Sequence, residues 1–214
     1  MIILGIDPGT ASLGYGIIER TGARLRAVDY GALHTSPETA LPERLVAVHR
    51  LVSDLIELHA PAVVGVERLF FSRNAQTAFA VGQARGVVLL AAAQHSLAVR
   101  EATPNAIKSA IAGHGAADKE QVQRMVQLVL GLPERPSSDD AADALAMAIW
   151  VAHTERPGER LNSGLKSGLL DRSAIAPLGR GETPYERAVR EAIDRDQAAS
   201  ADGETGRPRR RRAS

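Results

Sequence analysis

Apolar residues along this chain follow two rhythms. Ile2–Asp7 is a short, nearly continuous apolar run that ends on a carboxylate, the pattern of a buried strand. Leu13–Glu19 and Leu25–Leu33 alternate apolar and polar positions and predict two more strands. Pro8-Gly9 and Thr21-Gly22 supply the turns between them, so the three strands read as an antiparallel meander. The period then lengthens. From Pro42, a good first helical residue, Leu45, Val48, Leu51, Val52 and Leu55 recur at helical spacing. Ala62–Glu67 returns to a buried-strand pattern. Asn74 is placed to cap a long helix over Ala75–His95, and Leu97–Glu101 predicts a last short strand. Thr103-Pro104 opens a short helix and Asp118 opens another that runs through Leu130. Ser137–Ser138 can cap a helix over Asp139–His153, in which Trp150 is expected in the core.

Three strands, a helix, a strand, a helix, a strand and then helices make an α/β domain, a mixed five-stranded sheet flanked by helices. A ribonuclease-H-like fold has this order, and many chemistries use it, so the order alone assigns no function. Past about Thr154, Gly, Pro, Ser and charged residues replace large apolar ones. Residues 1–154 therefore read as one domain and 155–214 as a largely disordered tail. Within the tail, Thr183-Pro184-Tyr185-Glu186 has the form of a capping box and predicts a short helix near 184–196, and Arg209–Arg212 forms a basic end.

Composition narrows the classes. There is no Cys, which excludes disulfides and thiolate metal sites. No apolar run is long enough to cross a bilayer, and Met1–Leu4 lacks the basic flank of a signal peptide. The expectation is a cytoplasmic protein with no membrane partner. The net charge of +1 divides into −2 over residues 1–154 and +3 over the remainder. That balance does not argue against a nucleic-acid partner, because two divalent ions held by carboxylates would turn −2 into +2.

Four acidic residues carry the candidate chemistry. Asp7 and Glu67 end buried strands, and Asp140 and Asp143 stand three apart on one helix face. Taken singly each has an ordinary explanation: a turn residue before Pro-Gly, a loop charge, an acid that complements a helix dipole. Asp143 resists that explanation, because Ala141, Ala142, Ala144 and Leu145 surround it and a carboxylate on an apolar face needs a partner. Asp139 faces away from this pair and reads as a helix-start residue that helps the cap. Convergent carboxylates offer hard oxygen ligands suited to Mg²⁺ or Mn²⁺. Lys108 and Lys119 add compact positive charge, and they are two of only three lysines beside 23 arginines. Phe70 and Phe71 stand adjacent in a chain with 3% aromatic residues, and one of them could stack on an exposed base.

With these residues in place the chain resembles the RuvC family of Holliday-junction resolvases from Ile3 to about Ile149. ILGIDPGTASLGYGII, VERLFFSRNAQTAFAVGQARGV, ATPNAIKSAIAGHGAADKEQVQRMV and SDDAADALAMAI occur in family order and spacing. The resemblance implies a ribonuclease-H-like nuclease whose metal-binding and catalytic carboxylates are Asp7, Glu67, Asp140 and Asp143, with two ions per active site. It implies active-site roles for Lys108 and Lys119 and a stacking role for Phe70. Arg73, Asn74, Gln83 and Arg85 lie in the same segment as weaker candidates for DNA contact. It further implies hydrolysis that leaves a 5′-phosphate and a 3′-hydroxyl, a four-way DNA junction as substrate, and a homodimer that cuts two strands symmetrically in recombination and repair. Cooperation with the branch-migration proteins RuvA and RuvB is also implied. The several apolar faces of the Ala75–His95 helix independently suggest a dimer interface.

Three alternatives make different demands. An ATP-using protein of the actin–hexokinase class shares a hairpin like GIDPGTASLGYGI but generally needs two lobes. A non-catalytic junction-binding module would need basic residues rather than four convergent acids. A related nuclease of the same fold would cut another branched or RNA-containing substrate.

Overall fold

A computed structural model describes residues 1–68 and 75–155, with side chains described from Phe79 onward in the helix that starts at Ala75. All of these residues belong to one unit, Met1–Ser167. The expected helix near 184–196, the basic end, and Phe70, Phe71, Arg73 and Asn74 lie outside the described residues.

Strand β1 spans Ile2–Asp7, β2 Ser12–Thr21 and β3 Arg24–His34. Helix α1 (Leu41–His59) leads to β4 (Val63–Glu67), and α2 (Ala75–Gln94) leads to β5 (Ala98–Ala102). Helices α3 (Pro104–Ala112), α4 (Lys119–Leu130) and α5 (Asp139–Thr154) follow. The sheet order is β3-β2-β1-β4-β5. β1, β2 and β3 pair antiparallel, while β1–β4 and β4–β5 pair parallel. This is the mixed five-stranded sheet expected from the sequence, with element ends displaced by at most two residues.

The two-residue period of β1 decides which side chains meet which helices. Leu4 and Ile6 join Ile17, Val64 and Val66 in a core shared with Val48, Val52 and Leu55 of α1 and Val88 and Ala91 of α2. Ile3 and Val63 point to the opposite face, into a core shared with α3, α4 and α5. Gly5 and Asp7 follow Ile3 on that second face, as Gly65 and Glu67 follow Val63. Trp150, expected in the core, is half-buried and packs against its margin.

Helix α5 lies directly on the sheet because a row of glycines makes room for it. Gly16, Gly5 and Gly65 are aligned across β2, β1 and β4. A Cβ on Gly5 would run into the carbonyl oxygen of Ala144 and lie 2.7 Å from the Ala148 nitrogen. On Gly16 it would lie 2.8 Å from the Leu145 nitrogen, and on Gly65 2.6 Å from Cγ2 of Val151. The helix answers with small residues: Ala141, Ala142, Ala144, Ala146, Ala148 and Ala152 are all buried.

The far end of α5 is tied to the same sheet. Arg20 Nη1 donates to the carbonyls of Ala152, at 2.6 Å, and Glu155, at 2.7 Å. Arg100 of β5 pairs with the buried Glu155 carboxylate at 2.5 Å.

Candidate active site

The register places the acids. Asp7 stands two residues beyond Gly5, and Glu67 two beyond its parallel partner Gly65, so both carboxylates leave neighbouring strands at the same end and on the α5 face. Gly14, paired with Asp7, lets the first turn of α5 settle there, since a Cβ on it would lie 3.0 Å from the Asp140 Cβ. Ser138 caps the helix by accepting from the Ala141 N–H at 3.4 Å. Asp140 and Asp143, one turn deep in α5, thereby come over the strand ends that carry Asp7 and Glu67. All four are partly buried.

An open cleft includes Glu67, Asp143, Lys108 and Lys119 in its lining, with Ile107 and Ala146 among its apolar walls. Lys108 is carried by α3, which starts at a Thr103 cap that accepts from the Ala106 N–H at 3.3 Å, with Pro104 in its first turn. Lys119 is the first residue of α4, which opens on a reciprocal capping box between Asp118 and Gln121. A cation at a helix N-terminus opposes the helix dipole, so its position there is not explained by helix stability. The Lys119 ammonium instead pairs with Asp139 at 3.1 Å, and that carboxylate also accepts from Gln123 at 2.6 Å. Asp139 therefore does not assist the cap, as the sequence suggested. It is the first helical residue, its carboxylate is directed at α4, and Ser138 does the capping.

Burial first, and the neighbouring acids second, set the electrostatics of the site. Burial, then Glu67, Asp143 and Asp140, push the Asp7 carboxyl up to about 7, against a smaller pull from Lys119. Burial and Asp143 push Glu67 up to about 7, with Lys108 opposing. Burial also raises Asp143, against the pull of Lys119. Among the described residues, no three His, Asp or Glu side chains are arranged to hold a metal ion as they stand. Ionised together these carboxylates repel, and the two lysines only partly offset them. The donor set consists of hard carboxylate oxygens deficient in positive charge, and it fits a divalent cation of the Mg²⁺ or Mn²⁺ type.

These shifts have a stability consequence. A carboxyl whose folded pKa lies above its unfolded value stabilises the fold at low pH and loses that contribution as pH rises through the folded value. In EDTA, the melting temperature should therefore fall on the order of 5 °C between about pH 5 and about pH 8. Added Mg²⁺ should reverse the fall at the upper end. A melting temperature flat across this range, measured by calorimetry, would contradict the burial of Asp7 and Glu67.

Of the other expected contacts, Gln83 and Arg85 lie on α2, away from the lining of the cleft. The Arg85 guanidinium is engaged by Glu101 of β5 and ties α2 to the sheet. Sequence reasoning overlooked Ser12, whose hydroxyl donates to Asp140 Oδ2 at 2.5 Å.

Known proteins resemble this chain in sequence and in fold. A family model described as crossover junction endodeoxyribonuclease RuvC matches residues 3–153. A protein of that name from Desulfitobacterium hafniense is 53% identical over 165 residues, covering 77% of this chain and the whole of the relative. Its namesake from Chloroflexus aggregans is 53% identical over 154 residues, 72% of this chain and 94% of its own. Among solved structures, RuvC of T. thermophilus in complex with a Holliday junction substrate superposes with a TM-score of 0.68 at 40% identity, covering 71% of this chain and 93% of that one. A second T. thermophilus RuvC structure gives 0.65 at 39% identity, covering 72% and 96% respectively.

Proposed function

The chain belongs to the RuvC family of crossover junction endodeoxyribonucleases, and on that premise we propose that Asp7, Glu67, Asp140 and Asp143 hold two Mg²⁺ or Mn²⁺ ions at the sheet end and cut the strand laid across it. The protein is a Holliday-junction resolvase of a family that uses divalent metals, and the domain matched by the family lies within residues 1–154. The observation that carries the site assignment is the delivery of four partly buried carboxylates from β1, β4 and α5 to one end of one sheet face.

When bound, divalent cations supply Lewis-acid stabilisation at phosphorus and a nucleophile at neutral pH. The chain's own residues do the rest. The four carboxylates would hold the ions at strand ends whose spacing the backbone hydrogen bonds set. Lys108 presents positive charge inside the cleft toward the scissile phosphate. Lys119 does the same once it exchanges Asp139 for phosphate oxygens, an exchange between exposed charges that costs little. Phe70, Arg73, Asn74, Gln83 and Arg85 are proposed DNA contacts on the family resemblance alone.

The active form is proposed to be a homodimer, since a two-fold pair of sites matches the near two-fold symmetry of a four-way junction. α2 supports this. It buries Ala84, Val88 and Ala91 against the sheet while Phe79 and Leu90 are 71% and 53% exposed on the outside. RuvA and RuvB are proposed partners on the same family grounds.

Incubating an end-labelled four-way junction with the protein and Mg²⁺ or Mn²⁺ should give paired symmetric nicks that ligase can reseal, the mark of 5′-phosphate and 3′-hydroxyl ends. Nicks that form equally well in EDTA, or ATP hydrolysis without DNA, would defeat this reading.

A further inference from the structure

The geometry points to Ser12 as a positioning residue for the Asp140 carboxylate: its hydroxyl fixes the orientation of that carboxylate toward the divalent cation. This rests on the assignment of Asp140 as a metal ligand made above.

The contact is the only hydrogen bond to the Asp140 carboxylate among the described residues. It joins the first residue of β2 to the first turn of α5 across 128 positions of sequence. A carboxylate has two oxygens and rotates freely about its last torsion unless something holds it. A donor on Oδ2 selects one orientation and leaves Oδ1 for another ligand. Ligating groups are commonly oriented by such outer hydrogen bonds, and their loss typically costs about 10–100-fold in metal affinity.

Ser12 is itself held. The chain from Asp7 to Ser12 makes a tight turn in which a Cβ on Gly9 would collide with the Ser12 carbonyl oxygen. The Thr35 N–H donates to the Ala11 carbonyl at 3.0 Å, and its hydroxyl donates to the Thr10 carbonyl at 2.5 Å. Arg44 Nε donates to that same hydroxyl at 2.8 Å. A run of hydrogen bonds from α1 through the end of β3 thus fixes the turn that carries Asp7 at one end and Ser12 at the other. Ser12 passes this fixation to an acid on a different element. Lys119, Asp139 and Asp143 exert charge on the same region but do not hydrogen-bond to Asp140.

The test compares the full chain with Ser12→Ala, Ser12→Thr and Asp140→Asn. Mn²⁺ binding is read without DNA from the paramagnetic resonance of the free ion, and cleavage of a labelled four-way junction is read under single turnover against Mn²⁺ concentration. Thermal unfolding in EDTA reports whether each variant is folded. Ser12→Ala should weaken Mn²⁺ binding about tenfold and raise by about the same factor the Mn²⁺ concentration that gives half-maximal cleavage. Ser12→Thr, which keeps the hydroxyl, should restore both. If Asp140→Asn disturbs Mn²⁺ binding and Ser12→Ala does not, the positioning role is wrong while the site assignment stands. If Asp140→Asn leaves Mn²⁺ binding and cleavage intact, the site assignment itself fails. If Ser12→Ala weakens binding but Ser12→Thr does so equally, the hydroxyl is not the agent and the proposal is overturned.

Discussion

Asp7→Asn should lose junction cleavage by about 10³-fold or more while the protein stays folded and still binds the junction. The residue ends the central strand and faces the other three acids. Replacing one anionic oxygen by an amide removes a cation ligand and with it part of the charge stabilisation in the transition state. Several kcal/mol of such stabilisation correspond to about three powers of ten in rate. Binding should be retained or tightened, because a buried negative charge beside the DNA phosphates is gone. Stability should rise. Burial and three neighbouring acids push Asp7 up to about 7, so above that pH the wild-type protein carries a strained charge that Asn lacks. The measurements are single-turnover cleavage at saturating protein, gel-shift affinity in EDTA, and the melting temperature in EDTA at alkaline pH. Cleavage within tenfold of wild type would remove Asp7 from the metal site.

Gly5→Val should cost about 3 kcal/mol or more of stability. The side chain has nowhere to go. Its first carbon meets the Ala144 carbonyl and the Ala148 nitrogen, which are backbone atoms and cannot change rotamer. Relief requires α5 to lift off the sheet, which opens the core that Leu145, Ile149 and Val151 fill. Urea denaturation should show a lower midpoint at unchanged slope. Folded protein recovered at low temperature should also cleave poorly, because lifting α5 carries Asp140 and Asp143 away from Asp7 and Glu67. Gly5→Ala should show both effects in weaker form. A Gly5→Val protein as stable as wild type would mean that the contact between helix and sheet is looser than described.

Much of this was legible in the sequence. The apolar period located every strand and helix of the described residues, because both sheet faces are covered and the helices bury one side. Thr103, Asp118 and Ser138 marked helix starts correctly, since capping is a local matter of side chain and nearby N–H. Of the four acids only Asp143, set among alanines, called for a partner by itself; Asp7, Glu67 and Asp140 each had an ordinary explanation, and the four were grouped on the resemblance to the family. Other features depend on register, which spacing does not reveal. Nothing in GTASLG says that Ser12 reaches Asp140, and nothing in the glycines of β1, β2 and β4 says that they align under one helix. Asp139 was misjudged for the same reason. Beside Ser138 it looks like a capping residue, and only the approach of α4 shows that its partner is Lys119. The ion pair of Arg85 with Glu101 was equally hidden, since Glu101 sits on another element.

One strand grips α5 at both extremities: Ser12 begins β2 and holds Asp140, while Arg20, near its end, holds Ala152 and Glu155. Terminal helical turns are ordinarily the first to fray and to exchange their amide protons. Here an excursion of either terminus must release an anchor on β2, a strand hydrogen-bonded on both sides within the sheet. Fraying from either tip therefore carries the added cost of breaking that anchor. Amide exchange at both ends of α5 should be slowed by these anchors, and Asp140 in its first turn is tied to a strand inside the sheet.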